Sequence, residues 1–323
     1  MRRIVVNGTS PEAAAAEAAH VLRAGELVAL PTETVYGLAA DAANGQAVAR
    51  IFAAKERPRF NPLICHVTDV AMAARYGAFD ARAEKLAQTF WPGPLTLVVP
   101  LVPGAPVHPL VTAGLASIAL RAPRGLAQLV IAAFGGGLSA PSANRSGRLS
   151  PTRAEHVIDQ LGEAVSLVLD AGPCEVGVES SIVSLMGDKP RLLRPGGLAT
   201  EAIEEALRTK LDRATAGEAI AAPGMLASHY APHVPVRLDA DAVHRGEALL
   251  TFGEADVPGS EQAVAVRNLS PSKNLVEAAG NFFAFLAELD ASGASAIAAV
   301  PIPRHGLGEA INDRLARAAS PRP

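Results

Sequence analysis

Apolar positions along the chain fall into short unbroken runs and helix-spaced sets, separated by polar and proline-rich loops. Ser10-Pro11-Glu12 has the order of an N-cap, a first-turn proline and an acidic first turn, so it opens an alanine-rich helix that Gly25 closes after Arg23. Glu26–Leu30 then predicts a short buried strand ending at Pro31. Gln46–Arg57, with Val48, Ile51 and Phe52 on one face and Pro58 as a stop, predicts a helix, so the stretch forms a strand, polar loop and helix unit. The same patterns place strands at Leu63–Val67, Leu95–Leu101, Ser117–Arg121, Leu167–Asp170 and Ser181–Leu185. Helices fall near Arg82–Thr89, Leu126–Phe134, Arg153–Leu161 and Thr200–Leu207.

Periodicity fades between Thr209 and about Pro235, where Pro223-Gly224, Pro232 and Pro235 punctuate the chain. Beyond it, strands at Glu247–Phe252, Ala263–Val266 and Ala296–Ile302 and helices at Lys273–Leu289 and Gly308–Ala319 predict a small Rossmann-like βαβ unit. A length of 323 residues exceeds the usual size of one hydrophobic core. The division is therefore a main domain over 1–208, a linker over 209–235 and a small α/β domain over 236–323.

Composition narrows the class. With 49% hydrophobic and 19% charged residues, the chain has ample apolar material for folding. A net charge of −3 argues against a broad basic face for duplex nucleic acid and leaves room for a weak RNA contact only. The uncharged stretch Pro92–Leu120 contains Pro92, Pro94, Pro100, Pro103, Pro106 and Pro109, each removing a backbone donor, so it is no membrane helix. The apolar run after Arg2-Arg3 ends at Asn7, too short for a signal sequence. Cys65 and Cys174 form no CxxC pair, excluding a disulfide scaffold and a thiolate zinc site and fitting a reducing compartment; the expected location is cytoplasmic.

No P-loop, GxSxG or HExxH motif occurs. Gly135-Gly136-Gly137 with Ala140 fits a dinucleotide fingerprint on paper but follows a helix, so those glycines read as a helix C-cap. KERPRFNP at 55–62 sets Lys55, Arg57 and Arg59 at a helix end, where cations complement the helix terminus on an ordinary solvated face. Two neighbouring features give that cluster a second reading. The hydroxyl-rich loop PTETVYGL at 31–38 sits at the carboxyl end of a strand, where open sheets bind ligands. SAPSANRSGRLSPT at 139–152 reads by default as a polar loop capping the next helix. It also gathers hydroxyls, an amide and backbone N–H groups of the kind that surround a polyphosphate or its hydrated magnesium. Together these describe a triphosphate site without a P-loop.

PTETVYGL, the K-x-R of KERPRFNPL, SIALRAP at 117–123, the S-x-N of APSANRSG, GVESSIV at 177–183 and LLRPG at 192–196 resemble the YrdC-like family of threonylcarbamoyl-AMP synthases. PGMLASHYAPHVP at 223–235 and HGLGEAINDRLARAA at 305–319 resemble the family's long form. The resemblance implies an α/β fold with a twisted mixed sheet and helices. It also implies that ATP, L-threonine and bicarbonate are converted to threonylcarbamoyl-AMP and pyrophosphate, with Mg²⁺ accompanying ATP. The product feeds the tRNA threonylcarbamoyl transferase machinery that modifies the adenosine beside the anticodon.

By the same resemblance, Lys55 and Arg57 are the catalytic cations and, with Arg194, bracket the phosphates. Asn61, Ser117, Ser142, Asn144 and Ser150 complete the ATP contacts. Arg121 takes the threonine carboxylate, as a guanidinium fork suits a carboxylate, and Thr34, His66, Ala140 and Ser180 surround the rest of the amino acid. Taken alone, His66 is an ordinary core histidine, and both cysteines read as small apolar residues. The aperiodic linker, with Tyr230 over the nucleotide, is expected to act as a lid. This sequence has a second serine in ESSIV where threonine is common, and LASHYAP lacks the basic residue that often precedes the His-Tyr pair. Two other readings fit parts of the pattern: a double-stranded RNA-binding module that holds RNA by shape, and a carbamoyl-transfer domain, whose zinc-finger cysteines and acylphosphatase segment are missing here.

Overall fold

The computed structural model describes residues 1–6, 10–214, 222–223, 229–254 and 256–321. Among them, eleven strands form one mixed sheet in the order Arg2–Val5, Leu167–Asp170, Val28–Leu30, Gly37–Asp41, Leu138–Ser139, Ile64–His66, Ser117–Arg121, Leu95–Pro100, Ser181–Ser184, Arg191–Arg194 and Asp212–Arg213. A second sheet is wholly parallel, with order Val236–Arg237, Ala296–Ala299, Glu247–Thr251 and Val266–Asn268; the helix Leu275–Asp290 is the crossover between its last two strands in chain order.

Local chemistry explains the boundaries. Ser10 Oγ accepts the Ala13 N–H at 3.1 Å and starts the helix Pro11–Arg23. The helix Gly45–Lys55 begins at Asn44, whose side chain accepts from Gln46 and Ala47, and ends at Glu56 in the left-handed conformation ahead of Pro58. Gly135 caps Leu126–Phe134 with φ +84°, so the glycine triplet is a C-cap. The first helix lays Ala14, Ala15, Ala18 and Leu22 against Leu126, Val130 and Ile131; its small side chains let the two helices approach closely over the sheet.

Three sequence expectations need correction. The loop after Pro31 does not lead directly into a helix: Gly37–Asp41 returns antiparallel to Val28–Leu30, pairing Leu30 with Gly37, so the loop 31–36 closes a hairpin. Gly37–Asp41 has no alternation because both its faces are buried, which hid it. No side chain of the loop 139–152 caps the following helix, which starts at Ala154 without a side-chain cap. The strand expected at Ala263–Val266 runs instead over Val266–Asn268, sharing only Val266 with it.

The two sheets share a contiguous interior. Val35, Leu149 and Val178 pack in the same cluster as Tyr230, Phe282, Phe283 and Leu286. Gly177, at φ +73°, is where the helix Leu275–Asp290 comes closest: a Cβ there would lie 2.2 Å from the Ala279 carbonyl oxygen, so only glycine fits. Of the expected linker, residues 215–221 and 224–228 lie outside the described residues. Among the described residues, no helix is long and apolar enough to cross a membrane.

Candidate active site

Parallel pairing of Ile64–His66 with Ser117–Arg121 sets His66 opposite Arg121 at the carboxyl ends of adjacent strands. Ser180 precedes the strand Ser181–Ser184, and the antiparallel Arg191–Arg194 brings Arg194 beside it, with Arg194 Nη2 donating to Ser180 O at 2.9 Å. Arg57 leaves the helix Gly45–Lys55 through the left-handed Glu56 and donates from Nη2 to Pro62 O at 2.9 Å and from Nε to Asn61 O at 3.3 Å. Arg57, His66, Arg121, Ser142, Ser180, Arg194 and Tyr230, all named from sequence, line a single cavity. Val35, Ile64, Pro141, Glu179, Pro223 and His229 complete its wall.

The electrostatics call for an anion. Arg57, Arg121 and Arg194 are buried in the cavity wall against one carboxylate there, Glu179, while Lys55 and Arg314 are buried behind it. Buried charge without a counter-charge is strongly unfavourable. Burial accordingly lowers the Lys55 ammonium well below its ordinary value, with Arg57 adding to the effect, and brings Arg57 down to about 10. Burial likewise lowers Arg194. Glu179 is held below the usual carboxylate range: burial opposes ionisation, but Arg314 and Arg194 outweigh it.

On the Arg121 side, Nη2 lies 2.9 Å from Glu33 Oε1 and Nε donates to Gly93 O at 3.2 Å, so the guanidinium plane is fixed. Glu33 Oε2 is in turn held by the Arg124 N–H at 3.0 Å. His66 Nδ1 is buried without a hydrogen-bond partner among the described residues, and burial, reinforced by Arg121, pushes the imidazole down to about 3. It is a neutral group whose free ring nitrogen is available to a ligand. The Ser180 and Thr96 hydroxyls are 2.7 Å apart. Thr34 is fully buried in the hairpin loop with its hydroxyl 2.8 Å from that of Thr32, and Ala140 N–H is taken by Ile64 O at 3.1 Å; neither is part of the cavity wall.

Several expected ATP contacts have other work in this structure. Lys55 Nζ donates to the carbonyls of Ser142 and Asn144, both at 2.5 Å, pinning the loop that carries Ser142. Asn144 Nδ2 donates to Arg145 O and Arg148 O at 2.8 and 2.9 Å, shaping that same loop. The Ser150 hydroxyl donates to Glu179 Oε1. Ser117 sits at the opposite end of its strand from Arg121, roughly 13 Å away at ~3.3 Å per residue. Asn61 is fully buried beside Arg57, and both its side-chain polar atoms lack a partner among the described residues. Buried amides are nearly always satisfied, so Asn61 marks ligand contact more clearly than the residues already engaged.

Sequence reading passed over three groups that matter here, Glu33, Glu179 and Arg314, and noted His229 only as the neighbour of Tyr230. Glu33 and Glu179 stood inside quoted motifs, where only neighbouring hydroxyls and cations drew attention. His229 is buried with Nδ1 unpartnered, its ring 4.0 Å from that of Tyr230. Burial, with Arg57, Lys55, Arg194 and Arg314 adding to it, lowers its imidazole well below the ordinary value. Arg314, from the helix Leu307–Ala319, pairs with Glu179 at 3.0 Å; in sequence it is one of two arginines on an amphipathic helix, with nothing to single it out.

A mixed α/β sheet carrying a cationic cavity, with a small parallel-sheet unit packed against it, defines the class. Residues 20–196 match the Sua5/YciO/YrdC family, described as "Telomere recombination", and residues 198–320 match "Threonylcarbamoyl-AMP synthase, C-terminal domain". The chain is 38% identical to the threonylcarbamoyl-AMP synthase of Bacillus subtilis, covering 95% of this chain and 93% of that protein. Its similarity to the threonylcarbamoyl-AMP synthase of Pyrococcus abyssi is also 38%, over 94% of this chain and 93% of that protein. The crystal structure of P. abyssi Sua5 complexed with L-threonine superposes with a TM-score of 0.88 at 34% identity, covering 98% of this chain and 97% of that one. The protein belongs to the threonylcarbamoyl-AMP synthase family.

Proposed function

We propose that the protein joins L-threonine, bicarbonate and ATP into threonylcarbamoyl-AMP. The threonine amine takes up bicarbonate with loss of water to give a carbamate; a carbamate oxygen attacks the α-phosphorus of ATP, and pyrophosphate leaves. The observation that carries this reading is the excess of buried cations in one cavity. Such a site stabilises a polyphosphate and the negative charge that develops on it during transfer, with no need for a strong protein base.

Arg57 and Arg194 bracket the phosphates, Asn61 offers both donor and acceptor, and Ser142 completes that wall. Lys55 keeps the Ser142 loop in place through its bonds to the Ser142 and Asn144 carbonyls. Arg121 receives the threonine carboxylate, next to neutral His66 and Ser180. Among the described residues, no group of three or more His, Cys, Asp or Glu side chains could hold a metal. By the same reading, Mg²⁺ would accompany ATP as its counter-ion, as part of the substrate.

The His229-Tyr230 pair reaches the cavity wall from the connecting segment, which supports a lid that shields the intermediate from water. The product supplies a tRNA-modifying transferase in the cytoplasm. Family membership does not favour the duplex-RNA reading, and the cations are buried rather than displayed on a surface, as RNA binding by shape would require. Incubation with ATP, threonine, bicarbonate and Mg²⁺ should give threonylcarbamoyl-AMP by mass spectrometry. ATP turnover independent of threonine and bicarbonate would refute the reading.

A further inference from the structure

We propose that Arg314 is a positioning residue of the active site, acting from the C-terminal helix Leu307–Ala319 on the nucleotide half-site through Glu179 and Tyr230. The inference rests on the adenylation reading above.

Arg314 is fully buried, the bulkiest side chain in the molecule of which this is true among the described residues. Its partners explain how that is tolerated. Nε and Nη2 each lie 3.0 Å from Glu179 Oε2, and Nη1 donates to Pro195 O at 2.6 Å and to Asp313 Oδ2 at 2.9 Å. Glu179 and Pro195 are the sequence neighbours of Ser180 and Arg194, so one guanidinium ties together the two segments that carry those cavity residues. The other oxygen of Glu179 accepts from Ser150, extending the chain of contacts to the loop 139–152. The guanidinium carbon also lies 5.2 Å from the centre of the Tyr230 ring, within cation–π range. Tyr230 holds φ +61°, an unusual conformation for a bulky residue, which persists only where the surroundings impose it.

Arg314 is not the sole anchor of the helix. The Gly306 N–H donates to Glu201 Oε1 at 3.1 Å, Thr200 Oγ1 donates to Glu309 Oε2 at 2.7 Å, and Gly177 receives the neighbouring helix Leu275–Asp290. None of those residues lines the cavity. Arg314 is the side chain of this helix that reaches the wall residue Glu179, while the Arg317 carbonyl accepts the His229 N–H at 3.4 Å; removal of Arg314 should loosen the nucleotide half-site more than the Arg121 side, which Glu33 and Gly93 hold.

The test uses the full chain and steady-state pyrophosphate release. Arg314→Met keeps an unbranched side chain and removes the fork; it should raise the KM for ATP about tenfold and change the KM for threonine less than about twofold. Because Arg314 and Ser150 act through the same carboxylate, Arg314→Met combined with Ser150→Ala should be little worse than the more severe single change. Equal rises in both KM values, or single effects that multiply in the double variant, would overturn the proposal. If Arg314→Met fails to fold by circular dichroism, Arg314→Lys keeps the charge without the fork and should show the same selective rise. A folded Arg314→Lys protein with parental constants would then overturn it. A parent that releases no pyrophosphate with threonine and bicarbonate present overturns the adenylation reading instead, a result distinct from either of these.

Discussion

Arg121 Nη2 stands 2.9 Å from Glu33 Oε1, with both side chains almost wholly buried. The guanidinium offered to an amino-acid carboxylate is therefore already aimed by a carboxylate of the protein, from the hairpin loop that joins two antiparallel strands. Removing one member of a buried pair leaves the other uncompensated, at a cost of about 3 kcal/mol or more. Glu33→Gln should lower the melting temperature, and threonine, by bringing its own carboxylate, should restore more stability to the variant than to the parent. Thermal unfolding with and without threonine decides it; equal threonine-induced shifts would contradict the pairing role.

Arg121→Ala removes the charge-assisted partner itself. The threonine requirement should rise sharply while ATP binding changes little, as measured by separate titrations. Weakened ATP binding with threonine untouched would exchange the two half-sites.

Arg57 donates to two backbone carbonyls of its own loop, and its charge faces the cavity. Arg57→Ala should remove about 2–4 kcal/mol of transition-state stabilisation, the usual loss for a preorganised charge donor, in a protein that still folds. Pyrophosphate release at the parental rate by the folded variant would remove Arg57 from the mechanism.

Burial depresses His66 to about 3, against an ordinary value of 6.5. The unfolded chain therefore takes up a proton at a pH where the folded protein does not. The stabilisation from neutral His66 is complete above about 6.5 and is lost progressively as pH falls from there towards about 3. His66→Gln should flatten the dependence of unfolding free energy on pH between 6 and 4.5 by up to about one proton, or ~1.4 kcal/mol per pH unit. Denaturant titrations across that window give the slopes, and identical slopes would mean that His66 is protonated in the fold.

If the segment 209–235 is a lid, ATP with threonine should slow its proteolysis. A chain ended after Leu207 should stay folded yet bind ATP more weakly or lose the intermediate to hydrolysis. Equal cleavage in both conditions, together with full activity of the shortened chain, would reduce the segment to a tether.

The sequence alone was enough to mark most elements, because caps, prolines and apolar spacing act locally. Ser10-Pro11, Pro58 and Gly135 mark helix ends through their own backbone chemistry. Gly37–Asp41 escaped because a strand buried on both faces has no period to read, and Val236–Arg237 because a two-residue strand is defined only by its partner. The cations and hydroxyls of the site were legible as motifs, and tertiary structure decided what each of them does. Parallel register put His66 beside Arg121, while burial keeps the His66 imidazole neutral. Lys55, Asn144 and Ser150 are engaged by their own loops and neighbours, and Glu33 and Glu179 hold the arginines in place. Arg314 lies 135 positions along the chain from its carboxylate partner. No local pattern encodes so distant a pair; only the packing of the second sheet against the first brings it together.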